Sequence, residues 1–214
     1  MERRAEVAAD AAQAPARGAR RRARVGVLAV QGDVEAHARA LARAGADAVA
    51  VLHEKELDDL DALVLPGGES TTIAKGLARL GLYEPLRAFA ARRPVLGTCA
   101  GAILLASRVE NRPVETLGVL DATAVRNAYG TQVDSFAAES DPGGAPGLAG
   151  LRCVFIRAPR LRDLGPGVEV LVRVDGEPVL VRQGHVLAAT FHPELTDDPR
   201  LHALLLHEGD VPQT

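Results

Sequence analysis

Cysteine, methionine and aromatic residues are scarce in this sequence. Its 214 residues include one methionine, no tryptophan and 3% aromatic residues, and its two cysteines are Cys99 and Cys153. Two cysteines cannot form a disulfide framework, which indicates a reducing compartment. The sequence has no apolar stretch as long as a membrane-spanning helix, and its N-terminus lacks the apolar region of a secretory signal. We therefore expect a soluble cytoplasmic protein without a membrane partner.

A large excess of charge is also absent. The formal net charge is −3 and 47% of the residues are hydrophobic, which fits a globular protein and argues against nucleic-acid binding. The first 24 residues differ, with seven arginines and three acidic residues. We predict a disordered Ala/Arg-rich extension over residues 1–23, one domain over residues 24–208 and a tail over residues 209–214. The extension is either a functional arm or the product of an upstream start codon, and the second interpretation is favoured.

The sequence around Cys99 has the pattern of a nucleophile elbow. Val95 and Leu96 indicate a buried strand, and a small-residue helix is predicted from Ala100 through Ala106. Between them, Gly97-x-Cys99-x-Gly101 is the cysteine form of the G-x-S-x-G motif, in which a tight strand-to-helix turn leaves no room for flanking side chains. A helix N-terminus next to the sulfur favours thiolate over thiol. The alternative is an ordinary buried cysteine, but the two glycines favour a nucleophile.

Strands and helices alternate over the first half of the chain. Strands are predicted at residues 25–30, 48–52 and 63–65, and helices after Asp33, over residues 69–80 and over residues 84–91. His37, on the apolar stripe of the first helix, is predicted to be a packed or partly exposed residue and not a ligand. Shorter strands follow residue 117, including residues 132–136, with a hairpin turn at Asp175-Gly176. This order predicts an α/β fold: a doubly wound, mostly parallel sheet flanked by helices, with a small antiparallel addition.

A cysteine nucleophile needs a base, and the base needs an orienting group. His192-Pro193-Glu194 follows an apolar strand, and residues two apart in an extended chain point the same way. Glu194 is therefore predicted to hold the His192 imidazole in the tautomer that serves Cys99. The alternative is a polar strand end followed by a helix cap, with Pro193 ending the strand.

A glycine pair follows the third predicted strand, at the sheet edge where Cys99 also falls. Gly67 and Gly68 allow a backbone N–H to face a ligand closely, which suits an oxyanion hole with the N–H of Ala100 as a second donor. A plain helix cap, with Glu69 and Ser70 at its start, is the competing interpretation. The motif alone does not decide between them.

Several motifs of this sequence together resemble a known family. The resemblance is to the glutaminase subunits of pyridoxal 5′-phosphate synthase, the PdxT family of triad (class I) glutamine amidotransferases. It covers about residues 24–208 and is carried by Val27–Gly32, Pro66–Thr72, Gly97–Gly101, Gln132–Phe136, Phe155–Pro159 and Phe191–Thr196. The elbow and His-Pro-Glu are shared by all triad amidotransferases. The stretches at residues 66–72 and 155–159 point to this family.

The resemblance implies that the chain hydrolyses L-glutamine to L-glutamate and ammonia. The ammonia would pass to a separate synthase subunit in a hetero-oligomer that builds vitamin B6. The triad would be Cys99, His192 and Glu194, and we expect no cofactor and no metal. By the same resemblance, the glutamine contacts fall on Gly68, Glu69, Ser70, Arg126, Ile156 and Arg157.

Arginine and carboxylate side chains suit an amino-acid substrate. An arginine grips the substrate carboxylate in bidentate fashion, and a carboxylate meets its ammonium group. For either arginine, Arg126 or Arg157, a surface ion pair is the alternative role. The sequence departs from the family at Thr131, where the family usually has arginine, and this puts any charge contact at that position in doubt.

Two other functions stay open at this point. An amidotransferase of another pathway would share the cysteine, histidine and glutamate, so only the family-specific stretches argue against it. A catalytically silent subunit that binds the synthase is the second alternative, and the intact triad argues against it.

Overall fold

Helices and strands alternate along most of the chain in the structure, a computed structural model that describes residues 21–126, 135–142 and 144–207. The helices are α1 (Val34–Arg43), α2 (Ser70–Leu80), α3 (Tyr83–Ala90), α4 (Ala100–Leu105) and α5 (Arg200–His207). The strands are β1 (Arg24–Leu28), β2 (Asp47–Val51), β3 (Ala62–Leu65), β4 (Val95–Thr98), β5 (Ala106–Glu110), β6 (Leu120–Val125), β7 (Ser135–Glu139), β8 (Arg152–Ile156), β9 (Arg160–Arg162), β10 (Glu169–Val174), β11 (Glu177–Gln183) and β12 (Val186–Ala189). Short 3-10 helices cover Glu54–Leu57 and Pro193–Leu195.

The main sheet has seven strands in the order β10-β11-β12-β4-β3-β1-β2. The five strands from β12 to β2 run parallel, whereas β10 and β11 pair antiparallel at one edge. Asp175 and Gly176 both have positive φ and join β10 to β11, as the predicted hairpin turn requires. The predicted fold class, a mostly parallel sheet with an antiparallel addition, is confirmed.

Helices cover both faces of this sheet. The side chains of each strand alternate between the two faces, so each strand contributes to both cores. Strand β3 shows the alternation directly. Its Leu63 and Leu65 belong to the core beneath α2, α3 and α4, and its Ala62 and Val64 belong to the core beneath α1 and α5. The sheet is therefore doubly wound, and its strand ends stay open to a ligand.

The strand that directly follows α4 was not predicted from the sequence. The predicted helix ran through Ala106, but α4 ends at Leu105 and Ala106 begins β5, where it pairs with Leu120. The last carbonyls of α4 accept from residues 117 and 119 instead of continuing the helix. An all-apolar run fits a buried helix and a buried strand equally, so periodicity could not place this boundary. Strands β5, β6 and β9 form one small sheet, and β7 and β8 form another.

Residues 21–23 lie against the domain just ahead of β1. Both carboxylate oxygens of Asp61 accept from the Arg21 guanidinium at 2.8 and 3.0 Å, and Arg22 donates to the Ala46 carbonyl at 3.0 Å. Several predicted features lie outside the described residues. These are the extension up to residue 20, position 131, residues 132–134 of one predicted strand and the tail from residue 209. Among the described helices, none has the length and apolarity needed to cross a membrane.

Candidate active site

Cys99 lies at the sharp turn between β4 and α4. Its φ is +48°, a left-handed conformation that a side-chain-bearing residue adopts only where its surroundings impose it. A Cβ on Gly97 would lie 2.6 Å from the Gly101 backbone, so the two glycines are packed face to face. The backbone N–H of Cys99 donates to Ala189 of the neighbouring strand β12 at 2.8 Å. The strand-to-helix geometry predicted for the elbow is present.

His192 follows β12 and reaches Cys99 from the adjacent strand. Its Nδ1 lies 2.7 Å from Oε1 of Glu194, and its side chain hydrogen-bonds with Cys99. The extended conformation predicted for residues 192–194 was wrong. Glu194 lies in a 3-10 turn that begins at Pro193, not in extended chain. The turn folds the carboxylate back onto the imidazole, and the backbone N–H of His192 is held by Val154 of β8 at 2.8 Å.

The pKa values of His192 and Glu194 suit nucleophilic attack by the neighbouring Cys99. Burial opposes protonation of His192, but its hydrogen bonds to Cys99 and Glu194 raise its pKa to about 10. Burial likewise opposes ionisation of Glu194, but the hydrogen bond from His192 lowers the pKa of this carboxyl. His192 is therefore an imidazolium at neutral pH, held between a carboxylate and the sulfur. Such an arrangement supplies both a nucleophile and a proton donor.

The glycine pair after β3 lies directly against Cys99 and His192. A Cβ on Gly67 would lie 2.5 Å from His192 Cε1 and 3.4 Å from the Cys99 Cβ, so only glycine fits there. Gly68 has φ +149°, which L side chains rarely adopt. Ala100 is the first residue of α4 and is buried. The structure thus places Gly67 against Cys99, which directly precedes Ala100.

Gln31 is a residue of this site that the sequence analysis did not single out. Its Oε1 accepts from the backbone N–H of Glu69 at 3.1 Å, and the Gly68 backbone packs against the same amide. Gln31 follows β1, and strands β1, β3 and β4 all end at the same sheet edge. That position after a central parallel strand was a signal that could have found it.

Glu69 acts as the N-cap of α2. Its carboxylate accepts from the N–H groups of Thr71 and Thr72 at 3.1 and 2.7 Å, and from the Arg126 guanidinium at 3.1 Å. Burial works against its charge, but the bonds from Thr71 and Thr72 lower its pKa to about 2. The helix cap considered from the sequence is therefore present at Glu69. Ser70, the first residue of α2, is buried.

The two predicted substrate arginines differ in their surroundings. Arg126 is 7% exposed and is held by Glu69, by Thr71 and by the Arg112 carbonyl. Arg157 is exposed and has φ +44°. Its neighbour Ile156 places its carbonyl oxygen 3.8 Å from the Cys99 sulfur. Arg126 is thus a nearly buried ion-pair partner and not a surface one.

A second buried polar group lies behind Glu194. His37 of α1 is fully buried, as the prediction of a packed residue requires, and its Nε2 is 3.5 Å from Oε2 of Glu194. Its Nδ1 is 3.1 Å from Nε2 of His202 on α5. The sequence did not reveal this contact, because residues 37, 194 and 202 meet only through tertiary packing. Over the described residues, no cluster of three His, Cys, Asp or Glu side chains could hold a metal ion.

Comparison with known proteins shows the family to which the chain belongs. Residues 27–209 match the model of the SNO glutamine amidotransferase family. The chain is 57% identical over 193 residues to a pyridoxal 5′-phosphate synthase subunit PdxT of Acidothermus cellulolyticus, covering 86% of this chain and 93% of that protein. It is 52% identical over 186 residues to the PdxT of Koribacter versatilis, covering 86% and 94%.

Solved structures agree on the fold. A crystal structure of a glutamine amidotransferase superimposes with a TM-score of 0.82 at 49% identity, covering 87% of this chain and 99% of that one. The PurLQS structure from Thermotoga maritima shares only the fold, with a TM-score of 0.61 at 17% identity over 89% and 96% of the two chains. The fold and the relatives define a class I glutamine amidotransferase. The chain belongs to the SNO glutamine amidotransferase family, and the resemblance to PdxT subunits predicted from its motifs is confirmed.

Proposed function

We propose that this chain is the glutaminase subunit of a pyridoxal 5′-phosphate synthase, with Cys99, His192 and Glu194 as its catalytic triad. The observation that carries the assignment is the 2.7 Å hydrogen bond between His192 and Glu194 beside Cys99. Relatives named as PdxT subunits support the specific pathway, since the alignments cover more than nine-tenths of their length. An amidotransferase of another pathway has no comparable support.

The triad geometry gives a two-stage hydrolysis. The Cys99 thiolate attacks the side-chain amide carbon of glutamine, and a carbon–sulfur bond forms. As the carbon–nitrogen bond breaks, His192 gives its proton to the leaving nitrogen and ammonia departs. Water then attacks the thioester while neutral His192 takes a proton from it. The carbon–sulfur bond breaks, and glutamate and the thiolate–imidazolium pair result.

Two backbone donors stabilise the oxyanion formed at each stage. The N–H of Ala100 is free of intrahelical bonding because it opens α4, and it lies next to Cys99. The peptides of Gly67 and Gly68 supply the second donor from the facing strand end, where Gly67 contacts both Cys99 and His192. Losing one such donor lowers the rate by about 10²–10³.

The head group of glutamine is held by the charged groups around α2. Arg126 binds the substrate carboxylate and Glu69 meets the substrate ammonium, with Arg157 as a second cation. The Arg126–Glu69 contact of 3.1 Å presents both charges side by side. Gly68, Ser70 and Ile156 complete the proposed binding set. Lining contacts of this kind set KM and orientation more than the chemical step.

Ammonia is consumed by a separate synthase subunit. Ammonia released into water at neutral pH is largely protonated to ammonium and loses its nucleophilicity. We therefore expect a poor glutaminase in isolation that the synthase subunit activates in the cytoplasm. The Gly67–Gly68 peptides are the proposed lever, since glycine peptides reorient cheaply and Gln31 holds the adjoining N–H of Glu69.

The test is glutamate release by the pure chain with and without a saturating synthase subunit. Activation of at least about fivefold is expected, and a smaller change contradicts the coupling. Glutamate release that persists in Cys99→Ser, with or without the synthase, contradicts the triad itself. Absence of hydrolysis in both samples, with the complex shown to form, identifies a silent subunit.

A further inference from the structure

Buried titratable side chains form a row behind the Cys99–His192 pair. Glu194 Oε2 lies 3.5 Å from His37 Nε2, and His37 Nδ1 lies 3.1 Å from His202 Nε2. Both imidazoles are fully buried, and the Thr98 hydroxyl is 3.3 Å from His37 Nε2. The members of the row come from α1, from the turn after β12 and from α5. Packing of two helices against the site therefore assembles it.

The row carries one charge, on Glu194. Burial lowers the pKa of His202 to about 3, and burial also lowers the pKa of His37 against the attraction of Glu194. Both imidazoles are therefore neutral at neutral pH, and each has a single N–H. The other charged groups that face the pair are Asp33, Arg43 and His192.

One arrangement of the two N–H groups suits the carboxylate. With its proton on Nε2, His37 turns its donor toward the Thr98 hydroxyl, with Glu194 Oε2 also 3.5 Å from this nitrogen, and its bare Nδ1 accepts from His202 Nε2. The opposite arrangement turns a lone pair of His37 toward a negative oxygen. It also leaves a proton on His202 Nδ1, a buried atom without a hydrogen-bond partner. An orphaned buried donor costs more than the bare nitrogen of the first arrangement.

Glu194 Oε2 is itself a buried oxygen without a hydrogen bond, and the Nε2 of His37 is 3.5 Å away. Catalytic hydrogen bonds are often long in a free enzyme and tighten when substrate binds. We propose that His37, held as the Nε2–H tautomer by His202, is a positioning residue that grips the second oxygen of Glu194 and thereby keeps the first oxygen on His192. The proposal rests on the triad assigned above.

This grip matters because a carboxylate turns about its last bond. Glu194 offers Oε1 to His192, and a contact at Oε2 adds to the resistance of the carboxylate to rotation away from the imidazole. The Thr98 hydroxyl also contacts His37, and Thr98 directly precedes Cys99 in the chain. Sulfur, imidazole and carboxylate are thereby fixed to one another from behind as well as through their direct contacts.

The first test reads the tautomer directly. Nitrogen NMR of the full chain with 15N-labelled histidine is expected to show His37 protonated at Nε2 and bare at Nδ1, and His202 likewise protonated at Nε2, from pH 6 to pH 8. A His37 proton on Nδ1, or a doubly protonated His37 in this range, overturns the proposal. This readout does not depend on glutamine hydrolysis.

The second test separates positioning from packing, in the complex with the synthase subunit. His37→Leu removes the donor at similar volume and is expected to lower kcat for glutaminase about tenfold to a hundredfold, with KM for glutamine unchanged. His37→Gln keeps a terminal amide donor and is expected to recover to within about threefold of the wild type. Equal losses in both variants, or a loss confined to KM, overturn the proposal.

A matched control is the same substitution at a histidine away from the site. His185 Nε2 donates to the Ala90 carbonyl at 2.8 Å at the far end of β12, so His185→Leu is expected to leave kcat unchanged. Normal activity in His37→Leu while Cys99→Ser is inactive overturns this proposal alone. Persistent activity in Cys99→Ser overturns the proposed triad, and the NMR result still stands by itself.

Discussion

The two cysteines of this chain are both buried, yet their backbone conformations and their side-chain neighbours differ. Cys99 is 7% exposed, has a positive φ at a strand-to-helix turn and hydrogen-bonds with an imidazolium. Cys153 is 0% exposed, lies in the middle of β8 and packs among aliphatic and aromatic side chains. Burial raises the pKa of the Cys153 thiol to about 12. Accessibility alone hardly separates them, so backbone geometry and a charged partner make the difference.

The largest effect is expected from exchanging sulfur for oxygen at each position in turn. Cys99→Ser is expected to lower glutaminase activity by at least about a thousandfold without unfolding, because a serine lacks the thiolate. Cys153→Ser is the matched control. It is expected to keep activity within about twofold and to lose about 1–3 kcal/mol of unfolding free energy from a buried hydroxyl. Steady-state kinetics and urea melts of both variants give the answer, and equal activity in the two contradicts the comparison.

The next effect concerns the charged partner that only Cys99 has. His192→Ala removes the proton donor, whereas Glu194→Gln removes only its orienting charge. Glu194→Gln is therefore expected to retain at least about tenfold more activity than His192→Ala. Steady-state kinetics of the two variants test this order of activities, and circular dichroism checks that both variants are folded. Equal losses would mean that Glu194 has a more direct part in proton transfer.

Thiol labelling compares the two cysteines in one sample. Iodoacetamide at neutral pH is expected to modify Cys99 in the native chain and to modify Cys153 only after denaturation, because the raised pKa of the Cys153 thiol keeps it protonated. Peptide mass spectrometry counts the modified sites. Modification of both residues at similar rates in native protein would remove the distinction.

Unfolding measured over a series of pH values distinguishes His192 from Cys153, because their contributions to stability change over different pH ranges. The folded pKa of His192, about 10, lies above its usual 6.5, so its stabilising contribution is complete below pH 6.5 and is lost as pH rises through about 10. The raised pKa of Cys153 likewise removes stability between its usual value of 9.0 and about 12. The stability difference between wild type and His192→Gln should therefore shrink from pH 6.5 to pH 10, as measured by urea unfolding. A constant difference contradicts the charged pair.

The smallest effect is expected from deleting the N-terminal segment, which contains neither cysteine. Removing residues 1–20 is expected to leave the melting temperature and the labelling of both thiols unchanged. Removing residues 1–23 also deletes the Arg21–Asp61 ion pair, whose exposed position limits its contribution to about 0–1 kcal/mol. A drop of several degrees in the shorter deletion would show that the extension docks on the domain.

Sequence reasoning found what is encoded locally and missed what packing creates. The elbow at Cys99 and the pairing of His192 with Glu194 were visible because each lies within a few residues. The contacts of Gln31 with Glu69 and of His37 with Glu194 were not, because they join elements far apart in the chain. Strand β5 was missed since an apolar run allows helix and strand alike.

Strand β8 contacts the catalytic centre through two main-chain carbonyls. The Val154 carbonyl holds the His192 N–H, and the Ile156 carbonyl faces the Cys99 sulfur. Because both contacts are made by backbone oxygens two residues apart, they depend on the number of residues in β8 and not on the identity of its side chains. Insertion or deletion of one residue there would shift every later carbonyl to the wrong face. The length of β8 therefore sets the position of two main-chain contacts in the active site, and a change in that length would break them.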